Sequence, residues 1–352
     1  MSYKPYYLED VYRAEAKARF TVISTFAGGG GSSTGYRLAG GKILAINEFV
    51  EEARSVYRHN YPHTPILSED IRELRGTDFL NVAGIRVGEL DVFDGSPPCS
   101  SFSMAGIREK GWGKEKAYSD TKQRTDDLFF EYARILKEIQ PRFFVAENVA
   151  GLTLGSAANV LGSAQFGLFG EEQETIYHTL TRAGYKVRYK VLNAKHFGVP
   201  QSRQRLIIVG VRNDIDHVYR FPTNTQPIVS LGEAFEGITH DTNDLTECDI
   251  SRFAVGKELK KLRPGGQSEK YFSLNKLDPN TYAGTLTATA GCLSAASIAH
   301  WQDRKLSVKE AIRVQSFPED YYLGDTYPNK IERLGRSVPP FLMKKIALSL
   351  PF

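Results

Sequence analysis

Cys99 sits behind two prolines in DVFDGSPPCSSF (Asp91–Phe102), directly after an apolar run that reads as a strand. Pro97 and Pro98 stiffen the turn that carries the thiol. In an open α/β sheet, functional groups gather at the carboxyl ends of strands. A cysteine there is placed to act as a nucleophile, against the default of a small buried hydrophobe. A thiol with an ordinary pKa of about 8.5 needs a cation or a helix N-terminus to ionise. The stretch QSRQR supplies Arg203 and Arg205 at the start of a later strand, and Glu147 ends another in FFVAENV. Two strand ends can bring thiol and acid to one crevice although 48 positions separate them. The constellation is a nucleophile, an acid and two cations.

The elements that must position these groups follow from hydrophobic patterning. FTVISTF (20–26), KILAIN (42–47), LDVFDGS, RFFVAENV, YKVRYKVLNA and RQRLIIVGV read as strands. Helical stretches alternate with them: about 33–38, EEARSVYRHNY, and DDLFFEYARILKEI (126–139), which has acids at its start. Such alternation predicts an α/β fold with a doubly wound, mostly parallel sheet, Rossmann-like and covered on both faces. A glycine run, STFAGGGGSSTGYRLAG, joins the first strand to the first helix. Glycines there let a ligand approach the backbone, and the helix N-terminus beyond favours an anion. Gly29, Gly31 and Gly35 give a GxGxxxG spacing, looser than the dinucleotide fingerprint. Nineteen positions after Gly29, Glu48 ends the second strand, where an acid binds ribose hydroxyls. Asp70 follows the short segment TPILSED as a third-strand contact. These features predict a nucleotide-type cofactor.

From Ser100 to Arg124 no period is visible; the stretch carries Arg108, Lys110, Lys114, Lys116, Lys122 and Arg124 with glycines at 106, 111 and 113. A loop of this length inside a compact domain is a functional lid or a surface loop, and its basic, glycine-hinged composition suits closure on a phosphate-bearing substrate. Glu109, Glu115 and Asp120 keep the surface-loop reading open. The period is lost again from about 212 to 291, which predicts a smaller recognition unit; it returns in SVKEAIRVQSF and PPFLMKKIALSL. Three domains or segments are expected, at 1–211, 212–305 and 306–352. The net charge of +4 permits a polyanionic partner without requiring one. Cys99, Cys248 and Cys292 form no CxxC pair, so neither a zinc site nor a disulfide scaffold is expected. No apolar stretch is long enough to span a membrane, and the first twenty residues lack the apolar core of a signal peptide, so a cytoplasmic protein is expected.

Taken in order, these motifs resemble the DNA (cytosine-5)-methyltransferase family. FAGGGG is similar to its first motif, NEF to its ribose-binding acid, SPPCS to its nucleophile turn, ENV to its cytosine-binding acid and QSRQR to its Q-x-R-x-R. LSVKEAIRVQSFP and RLGRSVPP resemble the ninth and tenth motifs. The resemblance implies S-adenosylmethionine as cofactor, held by Phe26, Ala27, Gly28, Gly29, Gly30, Gly31 and Glu48. Asp70, Ile71, Pro98, Arg336, Ser337 and Val338 complete its implied site. It implies that a cytosine is flipped out of double-stranded DNA, with attack by Cys99 on C6 and Glu147 at N3 and the exocyclic amine. Arg205 would hold the base carbonyl, Arg203 would lie near the nucleophile and backbone, and Asn148 would brace the Glu147 turn. Implied DNA contacts are Ser101, Arg108, Lys110 and Lys114 on the loop, Gln201, and Arg263, Ser268 and Tyr271 in the recognition unit. Lys260 and Lys261 are further candidates there, and the unit is expected in the major groove. A monomer suffices for one active site per chain, and a cognate restriction endonuclease is the partner that the resemblance allows.

The tenth motif of the family reads Gly-Asn-Ser/Ala-Val-Pro, and here Arg336 replaces the Asn. Three readings follow: a guanidinium turned to phosphate or solvent with ordinary methylation, a weakened enzyme, or pairing with the carboxylate of an altered donor, carboxy-S-adenosylmethionine. The last would yield 5-carboxymethylcytosine. Other classes are an RNA cytosine methyltransferase, whose transfer-RNA branch carries a Cys-Phe-Thr stretch that Cys248-Asp249-Ile250 and Cys292-Leu293-Ser294 do not match, and a non-catalytic DNA-binding protein. An NAD-dependent oxidoreductase fits the glycine run alone and leaves the Pro-Pro-Cys turn without a role.

Overall fold

β-branched and aromatic residues fill the predicted strands, and each becomes one. The computed structural model describes residues 3–97, 116–118, 121–123, 127–153, 176–223 and 227–352. In chain order the strands are β1 (Phe20–Thr25), β2 (Gly41–Asn47), β3 (Ile66–Leu67), β4 (Val92–Gly95), β5 (Lys116–Tyr118), β6 (Thr121–Gln123), β7 (Phe143–Val149), β8 (Tyr185–Asn193), β9 (Gln204–Arg212), β10 (Asn275–Lys276) and β11 (Ile298–Ala299). Seven of them form one sheet in the order β3-β2-β1-β4-β7-β9-β8. The first five in that order are parallel, whereas β9 runs antiparallel to both β7 and β8. The sheet is therefore mixed, and the reversal has a purpose. The start of β9, which carries Arg205, comes to the edge where β1, β2, β4 and β7 end.

Successive residues of each strand enter opposite layers, as the period of two requires. Val22, Phe143, Val145 and Ile207 pack on one side, with Tyr36, Val56 and Leu342 from covering helices. Ile23, Phe144, Ala146 and Ile208 pack on the other, with Phe79, Leu136 and Leu180. Both faces are covered, which is why β7 is apolar from Phe143 to Ala146.

The C-terminal segment returns to this core. The helix Pro340–Ala347 lies on the helix Gly31–Leu38 so closely that a Cβ at Gly35 would stand 2.6 Å from both the Pro340 carbonyl oxygen and Met343 Cβ. The Phe352 ring stacks on Phe20 at 4.0 Å between centroids. The aperiodic region holds three short helices, Leu231–Phe235, Thr242–Glu247 and Ala254–Leu259. Tyr219, Leu231, Leu277, Ala283 and Leu286 from this region join the main core. A separate small cluster, Ile250, Val255, Leu259, Leu274 and Ala299, serves only its middle. The segment expected at 212–305 thus shares the main core at both ends.

Gly35→Ala overpacks the contact between the two helices. We expect a loss of about 1–3 kcal/mol, read as a lower urea midpoint with an unchanged m-value. An unchanged midpoint would mean that this contact yields without strain.

Candidate active site

The site is built where the strands end. After β1 the chain turns sharply: Phe26 has φ 52°, Gly28 54° and Gly30 94°. A left-handed φ is uncommon for a bulky residue such as Phe26 and needs support. Glu48, at the end of β2, provides it. Its Oε2 accepts from the Gly28 N–H at 2.7 Å and its Oε1 from the Val50 N–H at 2.8 Å. Burial pushes the Glu48 carboxyl pKa up, against the pull of these two backbone donors. The Tyr321 hydroxyl donates to the Gly29 carbonyl at 2.5 Å.

The glycines divide by role. A Cβ at Gly30 would lie 2.4 Å from the Tyr321 hydroxyl, and one at Gly31 would lie 2.3 Å from the Val338 carbonyl oxygen. These two glycines are required by the packing of the C-terminal segment. Gly28 alone among the glycines of this turn faces open space, with no described atom within 4 Å of its would-be Cβ. Ala27 is buried behind it. Beyond β3, Asp70 accepts from the Arg72 backbone N–H at 3.0 Å and from its guanidinium at 2.8 Å, while Ile71 is buried. Arg72 also reaches Asp127 at 2.6 Å, which ties this strand end to the start of the helix Leu128–Ile139.

The acid and the second arginine meet through the sheet register. Arg205 pairs with Val149, and Val149 and Glu147, two apart, point to the same face. The side chains therefore meet diagonally, with Arg205 Nε 2.8 Å from Glu147 Oε1. Arg205 also donates to the Gln204 carbonyl at 2.7 Å. Burial lowers the Arg205 pKa and the Glu147 carboxylate opposes that shift. Asn148 Nδ2 donates to the Pro97 carbonyl at 3.2 Å, tying the end of β7 to the turn that leads to residue 99. Cys99 itself, with Pro98, Ser101, Arg108, Lys110 and Lys114, lies outside the described residues.

Arg203 and Gln201 turn inward to hold backbone carbonyls. Arg203 is buried and donates to the Leu286 carbonyl at 3.0 Å and the Gly335 carbonyl at 2.8 Å. Burial and the neighbouring charge of Arg205 depress its pKa. Its Nε has no partner among the described residues. Gln201, expected against DNA, is wholly buried: its amide donates to the Val314 carbonyl at 3.0 Å and to Gln315 Oε1 at 2.6 Å, and accepts from the Leu286 N–H at 2.9 Å. Gln315 in turn donates to the Leu334 and Ser337 carbonyls. The QSRQR stretch thus positions the tenth-motif turn, and that turn walls the glycine turn through Ser337 and Val338.

Arg336 ends the helix Tyr327–Arg336, and its Nε donates to Glu332 Oε1 at 2.8 Å. Both line a cavity of about 430 Å³ together with Glu52, Cys292, Asn329 and Arg333. It adjoins the glycine turn, since Val56 and Arg333 both stand against Gly29. Cys292 is exposed there, whereas Cys248 is buried as expected of a small hydrophobe.

In the recognition unit Arg263 is exposed. Ser268, expected at DNA, is buried and donates to Glu258 Oε1 at 3.1 Å while accepting the Lys270 and Tyr271 N–H groups. Tyr271 packs on the small cluster.

Several working residues escaped the sequence reading. Arg54 donates to the carbonyls of Glu48, Phe49 and Ser68, fixing the end of β2. Asp94, buried in β4, accepts from the Ser24 hydroxyl at 2.6 Å and from the Tyr36 hydroxyl at 3.0 Å. Burial pushes its carboxyl up to about 7. The second aspartate of LDVFDG, set inside the strand directly after Val92 and Phe93, was the signal for it.

A seven-stranded mixed sheet with an acid–arginine pair at its strand ends defines a class I methyltransferase architecture. The sequence profile of the C-5 cytosine-specific DNA methylases matches residues 20–351. Type II methyltransferase M1.HphI of Haemophilus parahaemolyticus is 30% identical over 93% of this chain and 85% of its own length. M.Eco47II of Escherichia coli is 31% identical over 91% and 76%. Among solved structures, a prophage-encoded protein of E. coli described as a DNA modification methyltransferase superposes with a TM-score of 0.70 at 20% identity, over 94% of this chain and 98% of its own. Spodoptera frugiperda DNMT2 gives 0.65 at 18%, over 92% and 97%. At those identities the superpositions speak for the fold alone. The chain belongs to the C-5 cytosine-specific DNA methylase family and is a DNA (cytosine-5-)-methyltransferase. Among the described residues no helix is long and apolar enough to cross a membrane.

Folding raises the Asp94 pKa, so its contribution to stability is full below its unfolded value of about 4 and is lost as pH rises through about 7. Asp94→Asn keeps an acceptor for Tyr36 and offers Ser24 a donor. We expect its melting temperature to exceed that of the unmodified protein at pH 8, with the gap closing by pH 5. A gap that does not change with pH would contradict this.

Proposed function

We propose that the chain modifies C5 of a flipped-out cytosine in double-stranded DNA, with S-adenosylmethionine as donor and a covalent bond through Cys99. The Glu147–Arg205 pair, 2.8 Å apart beside the turn that Asn148 ties to Pro97, carries this reading. The Cys99 thiolate adds to C6 of the ring, and Glu147 stabilises the electron pair pushed towards N3 by donating or sharing a proton there. Arg205 holds both the Glu147 carboxylate and the base carbonyl. Loss of the C5 proton and expulsion of Cys99 restore the aromatic ring. Arg203, Gln201 and Gln315 act by position, holding the wall formed by Gly335–Val338.

The donor fits the residues present. Gly28 opens to space beside Glu48, whose carboxylate has lone pairs left for ribose hydroxyls. The neighbouring cavity of about 430 Å³ is within the range of small-ligand pockets, about 300–1,000 Å³. When bound, the donor supplies an electrophilic methyl group. A second donor reading rests on Arg336, which shares the cavity wall with Arg333. There a carboxylate on the sulfonium would compete with Glu332 for the Arg336 guanidinium. The relatives named above are type II methyltransferases, so a cognate restriction endonuclease is the expected partner. A cytoplasmic monomer acting at the nucleoid suffices.

Expression in a host free of cytosine methylation, followed by nucleoside mass spectrometry, separates the readings. 5-Methylcytosine alone supports the ordinary donor. 5-Carboxymethylcytosine that disappears in Arg336→Asn supports the altered one. Glu147→Gln should lower kcat by about 10²- to 10⁴-fold. Cys99→Ala should abolish covalent trapping on 5-fluorocytosine DNA, and trapping that survives would remove Cys99 as the nucleophile.

A further inference from the structure

Tyr271 is turned against the small cluster, and its neighbour Phe272 takes the outward place. Phe272 is 86% exposed, more than any other large apolar side chain described. A single exposed apolar residue is ordinary by itself, but three observations set this one apart. Its backbone is fixed: Gln267 Nε2 donates to the Phe272 carbonyl at 2.6 Å, and the Ser268 N–H donates to the Leu274 carbonyl at 2.9 Å. Ser268 Oγ holds the Lys270 and Tyr271 N–H groups inside the same loop. The loop is seated, because Leu274 and Tyr271 at its base pack into the small cluster of Ile250, Val255 and Leu259. And it directly follows a basic stretch of the recognition unit. Residues 252–270 carry Arg252, Lys257, Lys260, Lys261, Arg263 and Lys270 against Glu258 and Glu269, a surplus of four that equals the net charge of the entire chain. A rigid aromatic tip among cations is the arrangement that meets a base edge while lysines and arginines sit on phosphates.

We propose that Phe272 is a specificity-determining residue that lies in the major groove against the C5-methyl group of a thymine near the target cytosine. The inference rests on the DNA reading above. The thymine methyl is the apolar feature that base edges present in the major groove, and a phenyl ring, with no hydrogen-bonding group, can read only that. Because the loop is closed by its own hydrogen bonds, little conformational freedom is lost on docking.

The test uses the whole enzyme. The methylated sites in a host lacking cytosine methylation give the target sequence, and oligonucleotides are then made with each thymine in turn replaced by uracil. One such replacement should lower kcat/KM of the unmodified enzyme by about 4- to 10-fold, the effect of one methyl group in an apolar contact. Phe272→Ala should lose that discrimination, accept other bases at the same position, and keep its melting temperature. Arg263→Ala, in contrast, should weaken binding on all sequences alike and reduce the salt slope by about one. Three results would overturn the proposal: a target without an A·T pair, indifference to uracil at every position, or Phe272→Ala with unchanged preference. A uniform loss in Phe272→Ala on every sequence would also overturn it, since that marks a wedge or a platform and not a base reader. If the unmodified enzyme methylates no DNA, the DNA reading fails and this inference with it; intact methylation with unchanged preference in the variant removes this inference alone.

Discussion

The arrangement depends on a small set of buried hydrogen bonds that join the start of β9 to the C-terminal segment. Arg203 spans from the Leu286 carbonyl to the Gly335 carbonyl, and Gln201 reaches Gln315, which holds the carbonyls of Leu334 and Ser337. No carboxylate pairs with the Arg203 guanidinium in this network; its described partners are carbonyl dipoles. Such a group is costly to bury, and removing one partner would leave several others unsatisfied. The cost is offset by what the network holds in place. It sets the turn that presses on Gly31 and so walls the glycine turn, where the donor is proposed to bind.

The same economy appears at the chemical edge of the sheet. The reversal of β9 brings Arg205 to Glu147, and Asn148 joins the end of β7 to the Pro97 turn. Three needs are met by neighbouring residues on two strands: an acid, a cation to hold it, and a brace to Pro97. The carboxylates on the donor side are held differently. Glu48 is fixed by backbone N–H groups and Asp70 by Arg72, so each is oriented before any ligand arrives.

Much of this was legible in the sequence. Strand positions follow from runs such as FTVIST and FFVAENV, because strands buried on both faces are mostly apolar until they reach the edge of the sheet. Glu147, Arg205 and Glu48 could be named because chemistry at strand ends needs charged groups where the apolar run stops. What could not be read was which polar groups the fold would use internally. Gln201 and Ser268 have the same composition signal as surface contacts, and only tertiary packing turned them inward. Nor could the packing role of the glycine run be read, since Gly30 and Gly31 lie against Tyr321 and Val338, some three hundred positions away in the chain. Tyr271, named from the sequence, packs on the small cluster while its neighbour Phe272 is exposed; an aperiodic segment gives no phase from which to tell inside from outside.

The docking of residues 335–347 on the glycine turn and its helix has a consequence for how the protein is made. During synthesis the first half of the sheet emerges with its glycine turn and the following helix lacking Tyr321, Val338 and Pro340, the groups that pack on them. Contacts of such sequence separation form late, and domains acquire structure from the N-terminal side as they leave the ribosome. A growing chain therefore has the strands of the sheet long before the glycine turn meets its packing partners. On the proposed function, a chain without these helices would carry Cys99 and Glu147 but not the turn that walls the proposed donor site.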